Sequence, residues 1–521
     1  MILRSPLRDL QIPRIPLHQW VLENAPAYGD LPALIDGGSG RTYTYAQLPG
    51  LVSHVAEGLA VRGLVKREVV AFYAPNVPEY AIGYHGVLMA GGVVTTVNPL
   101  YTVEELARQL NDSQARYLFT VPAFVGKARE AAAQAGVREI FVIGEATGAT
   151  PFQALLESDG PPPEVRIDPE KDLAVLPYSS GTTGMAKGVM LSHSNLVSSG
   201  CQITLEEMQP GETVIAVLPF FHVFGQHVIM NLGLRSGATI ITLARFDLEI
   251  FLRLSQDYRT ARAYLVPPIL LALAKHPMVD RFQLCLKTIL VGAAPVAEEV
   301  AKAVTIRLGC VVRQGYGMTE TSTPIAITPP GWPHVPPTGL ACPVPNSEVK
   351  IVDVMTGEPL GVKQEGEICV RGPQIMMGYH NNKAATEAMI DPEGWLHTGD
   401  IGYFDDNRFL YVVDRVKELI KFKGLQVAPA ELEALLLKHP AVADAAVIGV
   451  SDAEAGELPK AFVVKRSEVT AEELMEYVAG QVAPHKKVRM VDFVDAIPKS
   501  PSGKILRREL RARQMAQAPL R

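Results

Sequence analysis

Cysteine is scarce in this sequence and follows no pairing pattern. The five present (Cys201, Cys285, Cys310, Cys342 and Cys369) are scattered through 521 residues, with no Cys-x-x-Cys and no His/Cys ligand spacing. That argues against a disulfide framework or zinc module and points to a reducing, cytoplasmic setting. Excess basic charge is also missing. The 49 Lys+Arg face 55 Asp+Glu, a net charge of −6, so no nucleic-acid partner is expected. The opening Met1-Ile2-Leu3-Arg4-Ser5-Pro6 lacks the apolar core of a signal peptide, and Ala518-Pro519-Leu520-Arg521 is not a peroxisomal tail. Two stretches, Tyr80 to Val103 and Thr213 to Leu234, carry no formal charge. Both contain His, Asn, Gly and Pro, so they read as buried strand–turn–helix elements and no stable membrane insertion is expected. Internal repeats and low-complexity runs are absent.

What remains is an ordinary globular composition, 48% hydrophobic and 20% charged, long enough for two to four structural units. Strand-like runs alternate with amphipathic stretches. Val69 to Tyr73, Val214 to Leu218 and Thr239 to Leu243 read as strands, and Pro78 to Leu88 as a helix. Such alternation predicts an α/β fold with mostly parallel sheets. A proline-rich segment, Pro324 to Pro345, precedes a shorter β-rich region. There Val349 to Val352 and Glu367 to Val370 read as antiparallel strands. After Asp414 a compact α+β unit follows. It has a helix from Pro429 stopping at His439-Pro440 and a capping box at Thr470-Ala471-Glu472-Glu473.

Five clusters carry chemistry. Ser179-Ser180-Gly181-Thr182-Thr183-Gly184, with Lys187, combines hydroxyls, an ammonium and glycines that let backbone N–H groups face an anion. It reads as a polyphosphate clamp. It is not a Walker loop, because Gly188 follows the lysine. In Gln314-Gly315-Tyr316-Gly317-Met318-Thr319-Glu320, Tyr316 offers a flat face for a base, Thr319 a hydroxyl, and Glu320 a hard oxygen for Mg²⁺. Asp400, in Trp395-Leu396-His397-Thr398-Gly399-Asp400, is placed to accept hydrogen bonds from ribose hydroxyls. The stretch Asp414 to Gln426 is basic. Ser502-Gly503 would let Lys504 reach out toward a distant anion.

These clusters, in this order, resemble the adenylate-forming superfamily of acyl-CoA synthetases, luciferases and adenylation domains, over nearly the whole chain. Asn98 to Thr102, Pro219-Phe220-Phe221-His222-Val223-Phe224-Gly225 and Lys423 to Glu433 look closest to the 4-coumarate–CoA ligase branch. The resemblance implies a large N-terminal domain, residues 1–414, of two α/β subdomains and a β-barrel. A small mobile lid, residues 415–521, would follow, with its hinge near Lys417. It implies a two-step reaction. A carboxylate attacks the α-phosphate of ATP, with Mg²⁺, and expels pyrophosphate; the thiol of CoA then displaces AMP.

By the same resemblance, Lys504, Thr319, Lys421 and His222 take part in catalysis. Ser179 to Gly184, Lys187, Ala294, Pro295, Gln314 to Met318, Asp400, Arg415 and Gln426 hold ATP. His222, Phe224, Gly292, Ala293, Gly317, Thr323 and Pro324 surround the acid, Lys423 and Gly424 line the CoA path, and Glu320 holds the metal. Phe224 lacks the hydroxyl of the tyrosine usual at this position, and Thr321-Ser322-Thr323-Pro324 departs from the usual Ala-Gly-Pro-Val. The expected substrate is an apolar, phenylpropanoid-like acid such as coumarate or cinnamate. A medium- or long-chain fatty acid, or an acceptor other than CoA (carrier protein, amine), remains the alternative. A monomer or homodimer is expected.

Overall fold

The computed structural model describes residues 1–517, except 159, 180–185, 204–207, 295, 330, 333–334, 337–338, 341, 416–417, 423–424, 453–454, 483 and 501–502. Two sheets follow the predicted parallel pattern. In the larger, Val93–Thr96, Val69–Tyr73, Ala115–Thr120 and Glu139–Val142 run parallel, and Lys187–Ser192 closes one side antiparallel to Leu173–Val175. In the other, Thr213–Ala216, Thr239–Thr242 and Pro32–Asp36 run parallel. A third sheet starts with the parallel strands Arg262–Leu265, Thr288–Val291 and Val311–Met318, then turns antiparallel through Thr323–Ile327.

The helices between them start where the sequence allows. Pro78 opens helix Pro78–Met89 at a position where its missing N–H costs nothing. Thr102 and Glu105 form a capping box ahead of Val103–Ser113. Neither uncharged stretch is a long helix: the first divides into Pro78–Met89 and strand Val93–Thr96. Among the described residues no helix is long and apolar enough to cross a membrane.

The β-rich region is an antiparallel sheet of Ile2–Arg4, Glu348–Val352, Gly366–Arg371, Leu396–Phe404 and Leu410–Arg415. Val349 pairs with Val370, as the alternation predicted. The expected β-barrel is corrected to an open sheet. Its edges are Ile2–Arg4 and Leu410–Arg415, and among the described residues these do not pair with each other. Leu410 instead exchanges 2.9 Å backbone bonds with Leu340, so the last strand leads away from Ile2–Arg4 rather than closing on it.

The last sheet, Leu425–Val427, Ile420–Phe422, Gly456–Lys465, Val442–Asp452 and Met490–Phe493, is built from residues after 419 and has its own apolar core around Leu432, Val447 and Val463. Helix Pro429–Lys438 ends at His439, and the capping box of Thr470 and Glu473 opens Ala471–Ala479.

Candidate active site

Loops at the carboxyl ends of the parallel strands build the site, where open α/β sheets present their ligand crevices. Beyond strand Thr213–Ala216, the Asn76 side chain donates to Ala216 O and Leu218 O at 2.8 Å each and accepts from Phe220 N at 2.7 Å. Thr96 Oγ1 donates to Phe221 O at 2.8 Å. Two sheets thus fix the loop that carries His222. The segment Phe224–Asn231 then continues as a π-helix, a rare conformation that recurs near functional sites.

His222, Phe224, Gly292, Ala293, Thr323 and Pro324 line one cavity, and residues Gly315 to Thr319 form another wall. Every residue predicted to surround the acid is therefore brought together. Gly292 has to be small here, since a Cβ would lie 2.9 Å from the Phe224 ring. Lys504, from the far end of the chain, lines the same cavity. Gly503, at φ 79°, packs on Pro268 and Val266, and Lys438 pairs with Glu299 at 2.8 Å. These contacts dock the small C-terminal unit with its lysine pointing inward.

Burial, then Arg415, lowers Lys504 to about 8, against the opposing pull of Asp400 and Glu320. His222 is pushed down to about 3 by burial and by Lys504. Its Nδ1 accepts from Phe224 N at 3.2 Å, so the neutral ring carries its proton on Nε2.

Beside the cavity, Asp400 and Arg415 face each other on adjacent strands, with Arg415 Nε 3.3 Å from Asp400 Oδ1. The Tyr316 hydroxyl donates to Asp400 Oδ2 at 2.7 Å. Burial raises the Asp400 carboxyl and Arg415 opposes the rise. Glu320 Oε1 accepts from Ser179 Oγ at 2.9 Å and from Tyr379 OH at 2.8 Å, and the Lys187 ammonium sits 4.8 Å above the Tyr379 ring. A buried carboxylate with both of these bonds on one oxygen, among the described residues, leaves the other for a hard cation, so the donor set fits Mg²⁺.

Other predicted residues fall differently. Gln314 is buried and accepts from Val296 N at 3.3 Å. Ala294 is half-buried beside Ala293. Lys421 has an exposed side chain on strand Ile420–Phe422, where its register partner is Gln426, and it does not line the cavity. Ser180 to Gly184, Pro295, Lys417, Lys423, Gly424 and the Gln426 side chain lie outside the described residues. Sequence reasoning missed Tyr379 and the apolar lining of Ile203, Val228, Leu290 and Ile327. Gly378 beside Tyr379 was the one local signal. A separate basic groove at Lys66, Arg67, Arg116 and Lys171 contains none of the predicted residues.

An AMP-binding enzyme family model matches residues 21–380, and the corresponding C-terminal domain model matches 431–504. The chain belongs to the AMP-binding enzyme family. This AMP-binding enzyme is 44% identical to 4-coumarate–CoA ligase 1 of Petroselinum crispum, over 98% of this chain and 97% of that protein. It is 43% identical to 4-coumarate–CoA ligase of Pinus taeda, over 99% and 98% of the two chains. Among solved structures, ATP-bound MatB from Rhodopseudomonas palustris superposes with TM-score 0.87 at 27% identity, covering 96% of this chain and 99% of that one.

Proposed function

We propose that this enzyme activates an apolar, phenylpropanoid-type carboxylic acid with ATP and passes the acyl group to CoA. The observation that carries this reading is the shared cavity: a mostly apolar wall and the lid's Lys504 meet at Gly317 to Thr319. The acid enters between Phe224, Val228 and Leu290, with its carboxylate toward Lys504. Tyr316 packs on the adenine, Asp400 accepts from the ribose hydroxyls, and Arg415 balances the buried carboxylate.

As the carboxylate attacks, charge builds on oxygens around the α-phosphate. The Lys504 ammonium and the Lys187 side of the site offset it. Mg²⁺ held at Glu320 would neutralise phosphate charge. His222, neutral and fixed by its own backbone, gates the acid pocket without taking up charge. Residues 415–521 act as a lid that docks Lys504 for adenylation and withdraws to admit CoA past Lys423 and Gly424.

The lining also narrows the acid. Phe224, Val228 and Leu290 offer no hydrogen-bond partner, while His222 on the same lining keeps one Nε2–H, so cinnamate- and coumarate-like acids fit better than polyhydroxylated ones. The test is purified enzyme with ATP, Mg²⁺ and CoA against pooled cinnamic, hydroxycinnamic, benzoic and fatty acids, read by mass spectrometry. A dominant cinnamoyl-type thioester is expected. A fatty acyl-CoA would replace the substrate class, and acyl-adenylate without thioester would replace CoA as the acceptor.

A further inference from the structure

The turn that presents Asp400 interrupts an otherwise regular strand pair. Strands Gly366–Arg371 and Leu396–Phe404 are in register at Cys369↔His397 and again at Glu367↔Ile401. Between these points one strand supplies Ile368 alone, while the other supplies Thr398, Gly399 and Asp400. The excess forms a bulge, with Gly399 at φ 69°, and a bulge leaves backbone groups that the ladder cannot satisfy.

Glu367 satisfies one of them and Thr398 others. Glu367 Oε1 accepts from Gly399 N at 2.9 Å, and its Oε2 lies 2.8 Å from His397 Nδ1. Thr398 Oγ1 donates to Ile368 O at 2.8 Å and accepts from Asp400 N at 3.1 Å. Cys369 Sγ is 3.4 Å from the same His397 Nδ1, and Asp391 Oδ2 is 3.7 Å from Nε2. The contacts with Cys369 and then Glu367 raise His397 to about 10, so it is a charged donor at neutral pH. Thiol, imidazole and carboxylate are also donors for a soft metal. The 2.8 Å between Nδ1 and Oε2 is a hydrogen-bond distance, shorter than the roughly 3.3 Å between two donors on tetrahedral zinc, so the trio is arranged here as a hydrogen-bonded clamp.

We propose that Glu367 is a positioning residue for the nucleotide: by clamping Gly399 and His397 it holds the bulge that aims Asp400 at the ribose hydroxyls. The inference rests on Asp400 as the ribose acceptor. Glu367 itself reaches no substrate and acts through Asp400.

The test compares kcat/KM for adenylation with ATP and with 2′,3′-dideoxy-ATP in the full-length enzyme and in Asp400→Ala, Glu367→Ala, Glu367→Gln and the Asp400→Ala/Glu367→Ala double variant. Asp400→Ala is expected to erase the preference for ATP. Glu367→Ala is expected to lower that preference by about tenfold, the scale of one hydrogen bond to a charged group, with the dideoxy rate nearly unchanged. Glu367→Gln keeps one acceptor for Gly399 and should show a smaller, measurable fall; it carries the test if the alanine variant does not fold. The double variant should lose no further preference, because both changes act on one contact. A Glu367 variant that slows both nucleotides equally, or keeps the wild-type preference while Asp400→Ala loses it, overturns the positioning role. An Asp400→Ala enzyme that keeps the full preference overturns the ribose reading and, with it, this inference.

Discussion

Lys504 reaches the cavity from the C-terminal unit, and its environment sets a pH dependence. Burial and Arg415 hold the free enzyme's ammonium near 8, so it is charged below that value and neutral above it. The kcat/KM for adenylation reports the free enzyme. It should therefore fall as pH rises through about 8. Bound polyphosphate favours the ammonium, so the limb in kcat should lie higher. Lys504→Ala should remove the limb and slow adenylation more than about a hundredfold, the result of losing roughly 3 kcal/mol of transition-state stabilisation. ATP affinity, read by equilibrium binding, should stay close to that of the parent enzyme. A limb that persists in the variant would remove Lys504 from the step.

At this scale the motif residues were legible because their chemistry is unusual for their surroundings: a lysine after Ser-Gly, an aspartate after Thr-Gly. Leu290, Val228 and Glu367 were not. Each sits in a strand or helix whose local pattern has an ordinary explanation, and only the fold brings them to the site.

Among the elements, the turn after Val311–Met318 is the most constrained. The pairing with Thr323–Ile327 shifts register between Tyr316 and Gly317, and Ser322 and Thr323 take φ of 51° and 111°. Thr321 Oγ1 lies 3.1 Å from both Met318 O and Thr323 O, and its one proton shared between them holds the turn closed. A Cβ on Gly317 would fall 1.3 Å from Thr323 O, a backbone atom with nowhere to go. Gly317→Ala should therefore force the two strands apart. Adenylation should be lost, and urea unfolding should show a destabilisation above about 3 kcal/mol, in the range reserved for steric and strain defects. A variant with unchanged stability would mean the turn can relax as a unit. The reason for Gly317 was not legible in the sequence, because the clash partner lies across a bulge that no local spacing announces. Strand and helix positions were read well where periodicity and caps agreed, as at Val69–Tyr73 and Ala471–Ala479. The barrel was not, since whether a sheet closes depends on strands that meet only in the fold.

The whole molecule carries a set of uncharged histidines outside the cavity lining, with His85, His193 and His227 buried and His18 half-buried. His18 is lowered to about 4, and His85, His193 and His227 to about 3, chiefly by burial. They belong to four packed segments, Leu17–Leu22, Pro78–Met89, His193–Ile203 and Phe224–Asn231. His193 Nδ1 accepts from Leu17 N at 3.1 Å, and His227 Nδ1 lies 3.2 Å from Asn231 Nδ2. Both ring nitrogens of His85 are buried without a hydrogen-bond partner among the described residues.

Below the ordinary histidine value of about 6.5 the unfolded chain takes up protons that the native fold refuses. Each of these groups therefore contributes stability that is complete above pH 6.5 and falls as pH drops toward 3 to 4. The slope is at most about 1.4 kcal/mol per pH unit for each. His397 has the opposite sign. Raised to about 10, its contribution is complete below 6.5 and fades as pH rises through 10. With His222, also lowered to about 3, five groups against one make the acid side the steeper. Urea unfolding from pH 8 to 5 should show stability declining below about 6.5, before ordinary carboxylates titrate. His85→Leu, which fills the same apolar site without a titrating group, should reduce that slope by up to one proton. A flat profile from pH 7 to 5, or an unchanged slope in the variant, would show that these histidines gain protons in the native state and that the core opens to water around them.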